Sequence, residues 1–105
     1  MARVDQLSDA AKSVLQAGSA IEREFPHNLI RTITGLPEAE LLSYLSALKD
    51  AELLYERGVY PRPSYIFRHA LTQEVVYRSI LERRRRELHG RIGTAIEKLH
   101  GDDLA

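Results

Sequence analysis

Proline and glycine cut most of this chain into short pieces. Gly18, Pro26, Gly35, Pro37, Gly58, Pro61 and Pro63 all fall before residue 64 of a 105-residue sequence. Proline removes a backbone donor and turns the residue before it toward extended geometry, and glycine favours turns. Each element in this part of the chain is therefore short.

Between the breaks the apolar residues recur at helical spacing. Ser8 followed by Asp9, Ala10, Ala11 and Lys12 reads as an N-cap and first turn. Ala11, Val14, Leu15 and Ile21 give that helix a buried stripe, and Gly18 stands near its end. Pro26 predicts a break at Phe25. A second helix is expected over residues 27–33, with Leu29, Ile30 and Ile33 apolar and Thr34 and Gly35 stopping it. The third helix has Pro37 at its first position, Glu38 and Glu40 in its first turn and Lys49 in its last, all favourable to the helix dipole. Leu41, Leu42, Leu45 and Leu48 form its stripe, and no breaker interrupts the run to Glu52.

The pattern then changes. Residues 53–56 and 65–68 are short aromatic and aliphatic stretches around a Gly- and Pro-containing tip, which predicts a two-stranded β-hairpin. Tyr65 and Phe67, on one strand face, are the expected contact with the helices, because a lone hairpin is marginal. A fourth helix is expected over residues 70–80 with Leu71, Val75, Val76 and Tyr77 as its stripe. A last one is expected over residues 82–99, with Leu88, Ile92, Ala95, Ile96 and Leu99 apolar and Gly101 just past its end. Whether these two are one bent helix or two stays open. The fold class is mainly α with a small two-stranded β-hairpin: a winged helix of three helices plus wing over residues 1–80, then one or two C-terminal helices over residues 81–105.

Composition narrows the function. Fifteen Lys and Arg balance fifteen Asp and Glu, so the whole chain exerts no net pull on nucleic acid or on an anionic membrane. With no cysteine, thiol catalysis and Cys-ligated zinc are excluded. No apolar run nears the ~20 residues of a membrane span, and residues 1–5 carry no apolar signal core. A cytoplasmic location is the expectation. No phosphate loop or nucleophile elbow occurs, His27, His69, His89 and His100 lack metal-site spacing, and a trio such as Ser79, His69 and Asp50 occurs in any chain this long. The chain is not expected to be an enzyme.

Charge is uneven along the chain. Residues 1–52 hold five basic and eight acidic residues, and residues 53–105 hold ten and seven. The contrast rests largely on Arg83, Arg84, Arg85 and Arg86, which read either as a phosphate or acidic-domain contact or as a solvated helix side. Four consecutive helical residues sweep most of the circumference, and the pairs Glu82 with Arg86 and Arg83 with Glu87 are each worth about 0.2–0.5 kcal/mol. A winged helix often places its third helix in the DNA major groove. Here that helix presents Glu38, Glu40, Ser43, Ser46, Lys49, Asp50 and Glu52, and the wing tip offers only Arg57 and Arg62. Phosphates would be repelled, so a DNA-binding regulator is the weaker reading. In a third reading, as a plain interaction module, the last helix docks a partner through Leu88, Ile92, Ala95 and Leu99. That stripe predicts either self-association or a helix folded back on the core.

The run Tyr65-Ile66-Phe67-Arg68-His69-Ala70-Leu71-Thr72-Gln73-Glu74-Val75-Val76-Tyr77-Arg78-Ser79-Ile80-Leu81 is distinctive, as is Arg84-Arg85-Arg86-Glu87-Leu88-His89-Gly90-Arg91-Ile92-Gly93-Thr94-Ala95-Ile96-Glu97 after it. With Leu7-Ser8-Asp9-Ala10-Ala11-Lys12, Ile21-Glu22-Arg23-Glu24-Phe25, Gly35-Leu36-Pro37-Glu38 and Ala51-Glu52-Leu53-Leu54-Tyr55, these stretches resemble the region just after the ATPase core of bacterial STAND-type signalling ATPases. Many such proteins also carry a class III adenylate or guanylate cyclase domain and tetratricopeptide repeats. The resemblance implies a non-catalytic regulatory module whose partners are an ATPase core and helical repeats in the same polypeptide. It implies no cofactor for this piece alone, and ADP or ATP with Mg in the parent. In the wider class, which includes NB-ARC proteins, a Met-His-Asp motif ends the wing and its histidine contacts the β-phosphate of ADP. Arg68-His69-Ala70 stands in the like place, so the resemblance implies that His69 is a nucleotide sensor. Arg68 and Ala70 depart from the motif, and the role of its acid has no counterpart. Without the resemblance, His69 reads as an ordinary strand–helix junction residue.

Overall fold

The computed structural model describes residues 7–59 and 63–104, so Arg62 of the expected wing tip lies outside the described residues. Helix α1 spans Asp9–Ile21. Its N-cap is Ser8, whose hydroxyl accepts a hydrogen bond from the Ala11 N–H at 3.2 Å and so satisfies one donor of the first turn. Ala11, Val14 and Leu15 are buried, as their spacing requires. The chain then runs extended into a strand, β1, at Glu24–Pro26, followed by α2 at His27–Thr34. Gly35 ends α2 in the left-handed conformation, φ 66°, with its N–H on the Arg31 carbonyl at 3.0 Å.

Helix α3 spans Glu38–Asp50, with Pro37 one position outside it as the N-cap residue. Leu41, Leu45 and Leu48 are buried and Leu42 is half-buried. The helix stops two residues before the expected Glu52. Glu52 has φ 63°. Its N–H reaches the Lys49 carbonyl at 2.9 Å, and the Leu53 N–H reaches the Leu48 carbonyl at 3.1 Å. This is a Schellman closure built without the usual glycine.

Strands β2, Leu54–Arg57, and β3, Ser64–Phe67, form the wing, antiparallel, with Leu54 opposite Phe67 and Glu56 opposite Tyr65. The sheet has a third strand that the sequence pattern did not predict. β1 pairs with the other edge of β3, Phe25 opposite Tyr65, giving the order β1-β3-β2. The break expected at Phe25 is thus an extended pairing residue. Pro26 favours that geometry in the residue before it, and a proline at the end of an edge strand costs no central ladder bond. Phe25, Tyr65 and Phe67 are all fully buried, with Phe25 ring centroids 5.8 Å from Tyr65 and 6.1 Å from Phe67. Three packed aromatic rings on one sheet face anchor the wing on the helices.

Helix α4 spans Ala70–Ser79 and α5 spans Glu82–Leu104. Ile80, with ψ 131°, separates them, so they are two helices. Helix α5 passes through Gly101, so that residue does not terminate it. Leu88, Ile92 and Ala95 are buried and join the cluster formed by α1, α2 and the sheet, while Leu99 packs on it partly buried. Of the two outcomes expected for this stripe, the structure shows the helix folded back. The turn at residue 80 therefore separates helices but not cores. Ile96 is the exception in the stripe, at 46% exposure. The described residues make a mainly α, winged-helix-like fold of five helices and a small antiparallel sheet. No described helix is long and apolar enough to cross a membrane.

Candidate functional site

The junction of β3 and α4 is held from three sides. The Arg68 N–H donates to the Leu53 carbonyl at 3.0 Å, which ties the strand end to the start of the wing. The Gln73 side chain donates to the Ser19 carbonyl at 2.8 Å, fixing the second turn of α4 on α1. Val76 and Ile80 are buried below it. His69 sits in this frame as the N-cap residue of α4, in extended geometry. Its carbonyl accepts from the Thr72 N–H at 3.1 Å, while its side chain makes no capping bond. His69 and Arg68 are both exposed. The imidazole makes no hydrogen bond among the described residues, so it stands free at the positive end of a ten-residue helix.

Helix α4 turns only half of its expected stripe inward. Val76 is buried and Tyr77 partly so, but Leu71 and Val75 are 68% and 58% exposed. One helix face cannot hold positions 71, 75, 76 and 77 together. The Gln73 bond and Val76 decide which side meets α1.

A buried polar chain went unrecognised in the sequence. His27, 3% exposed, opens α2 and links three elements. Its Nδ1 lies 2.8 Å from the Tyr65 hydroxyl on β3, and its Nε2 lies 2.5 Å from Glu38 Oε1 in the first turn of α3. With Glu38 ionised the imidazole N–H sits on Nε2, and Nδ1 accepts the Tyr65 O–H. Arg31 approaches the other Glu38 oxygen at 3.7 Å. The available signal was spacing: residues 27, 30 and 33 share the inner side of α2, so His27 belonged with the core.

The four arginines do not form one patch. Arg83 and Arg86 are exposed, whereas Arg84 and Arg85 are half-buried. Arg85 lies over the Tyr77 ring, 5.4 Å from its centroid, and its Nε is buried without a hydrogen-bond partner among the described residues. Tyr77 in turn shares a 2.8 Å hydrogen bond with His89 Nε2. The ion pair that forms is Arg84 with Glu87 at 3.4 Å, not the Glu82–Arg86 or Arg83–Glu87 pairs expected from spacing. Leu88, Ile92 and Ala95 are committed to the core and do not form a free docking stripe.

On α3, the Lys49 ammonium is taken up by Glu56 at 2.9 Å. Glu40, Asp50 and Glu52 remain exposed without a cationic partner among the described residues. No group of three or more His, Asp or Glu side chains suited to a metal occurs among the described residues.

No protein-family model matches the chain. It is 30% identical, over 102 residues and 94% of its length, to an uncharacterized protein of Rhizobium meliloti (strain 1021). The chain spans about one-tenth of that protein's length, 10%.

Proposed function

We propose that this chain is a non-catalytic regulatory module of a multidomain signalling ATPase of the STAND type, working inside the cell on a nucleotide-binding core in the same polypeptide. The observation that carries the reading is His69: an exposed imidazole with no partner among the described residues, directly after the wing, at an N-terminus of α4 that no side chain caps. An imidazole N–H and the first backbone N–H groups of a helix both suit a phosphate oxygen. In this reading His69 binds the β-phosphate of ADP held by the core, and Arg68 adds positive charge beside it. Ala70 supplies no acid, so the contact rests on the imidazole and the backbone. ADP or ATP with Mg belongs to the parent, where the core supplies the phosphate chemistry.

The frame around His69 suits such a role. Gln73 and Val76 fix α4 on α1, and the Arg68 backbone fixes the wing. A contact made or lost at His69 therefore shifts the whole unit rather than one loop, which is how a local bond biases a two-state arrangement. The acidic outer side of α3 favours this reading over DNA binding. Adenine-nucleotide binding by the full-length polypeptide tests it. ADP is expected to bind the full-length protein and not the 105-residue chain alone. A full-length protein that binds neither ADP nor ATP contradicts the proposal.

A further inference from the structure

Helix α4 has one side in the core and one without cover. Leu71 and Val75, 68% and 58% exposed, lie one turn apart on the outer side, and Leu81, 79% exposed, follows just beyond the helix. A single exposed leucine on a protein surface is ordinary, but a pair one turn apart on one helix side is not scattered. Glu74 and Arg78 share that side. They stand four residues apart, the spacing at which such charges pair along a helix, yet no ion pair joins them among the described residues. The apolar pair is thus bordered along one flank by an acidic and a basic group.

The size of this surface selects its occupant. A stable interface between free proteins engages about 20–30 residues a side. Two aliphatic side chains and two charges fall far short, so a second copy or a diffusing partner would be held weakly. A tethered domain acts at an effective concentration of about millimolar, where a small surface is enough. The comparison agrees with tethering, because the segment like this chain makes up 10% of the Rhizobium meliloti protein.

We infer that the outer side of α4, centred on Leu71 and Val75 with Glu74 and Arg78 beside them, docks an adjoining domain of the same polypeptide. The inference rests on the module reading above and extends it by naming the surface through which the module is held. Leu71 is two residues from His69, so this contact and the proposed phosphate contact adjoin.

The chain has no cysteine, which makes the test direct. Val75→Cys and Leu71→Cys are each labelled with a maleimide, in the 105-residue chain and in the full-length polypeptide, and peptide mass spectrometry follows the label. Ser46→Cys, on the exposed side of α3, is the control. Labelling at positions 71 and 75 is expected to slow at least tenfold in the full-length protein, with position 46 changing less than twofold. Equal rates at 71 and 75 in both forms overturn the inference, as does a native polypeptide of no more than these 105 residues. Protection in the short chain that grows with its concentration assigns the surface to a second copy, and that also overturns it. Protection at 75 together with ADP release unaffected by His69→Ala keeps the docking surface and removes the sensor role, so the two readings fail separately.

Discussion

The Phe25 ring lies directly against the backbone of Gly18: a Cβ at position 18 would stand 2.7 Å from both Cε1 and Cζ of the ring. The contact lets the Phe25–Tyr65 pair of the sheet close on α1. It explains why a poor helix former sits inside α1, where the sequence marked it only as a residue near the helix end. Gly18→Ala gains ~1 kcal/mol of helix propensity but forces an overlap costing about 1–3 kcal/mol, so a net loss on the order of 1 kcal/mol is expected. Gly90→Ala on α5 meets nothing within 4 Å and is expected to gain about 0.5–1 kcal/mol. Urea unfolding of both variants checks the opposite signs.

Tyr65 and Glu38 hold His27 from two sides, joining β3 and α3 through the first residue of α2. Tyr65→Phe keeps the ring packing and removes only the hydroxyl that Nδ1 faces. A loss of about 1–3 kcal/mol is expected, since a buried polar atom forfeits a partner. Paired with Glu38→Ala in a double-mutant cycle, it is expected to show a coupling of about 0.5–3 kcal/mol through His27. Strict additivity in urea unfolding contradicts the network.

Glu52 fills the left-handed position of the α3 closure at φ 63°. Left-handed geometry costs a residue with a Cβ about 1–2 kcal/mol, and glycine avoids it. Glu52→Gly is therefore expected to raise stability by about 1 kcal/mol, with Glu52→Ala giving no such gain. Thermal unfolding of the two variants separates the backbone effect from loss of the charge.

Much of the architecture was legible because single residues act locally. Ser8 caps α1, Gly35 stops α2, and Leu41, Leu45 and Leu48 mark the inner side of α3. Residues 64–67 and the helix after His69 also follow from local pattern. What escaped depends on distant partners. β1 is three residues long and exists because β3 has a free edge for it. The inner side of α4 is chosen by Ser19 and the core, not by its own apolar count. The arginine tract divides because α5 turns Arg85 over Tyr77 and Arg84 toward a cleft lined by Ala10 and Val14 of α1, which spacing along the tract does not reveal. The position of His69 at the end of the wing is readable in the sequence; the burial of His27 is marked only by its spacing with Ile30 and Ile33.

The rate at which ADP leaves the full-length polypeptide, with and without His69→Ala, tests the central claim most directly. His69 is exposed and bonded to nothing among the described residues, so its removal is expected to change stability by less than about 0.5 kcal/mol. A hydrogen bond to a charged phosphate is worth about 1.5–3 kcal/mol, which corresponds to release about 10–150-fold faster in the variant. ADP release at the wild-type rate from a correctly folded His69→Ala protein contradicts the account.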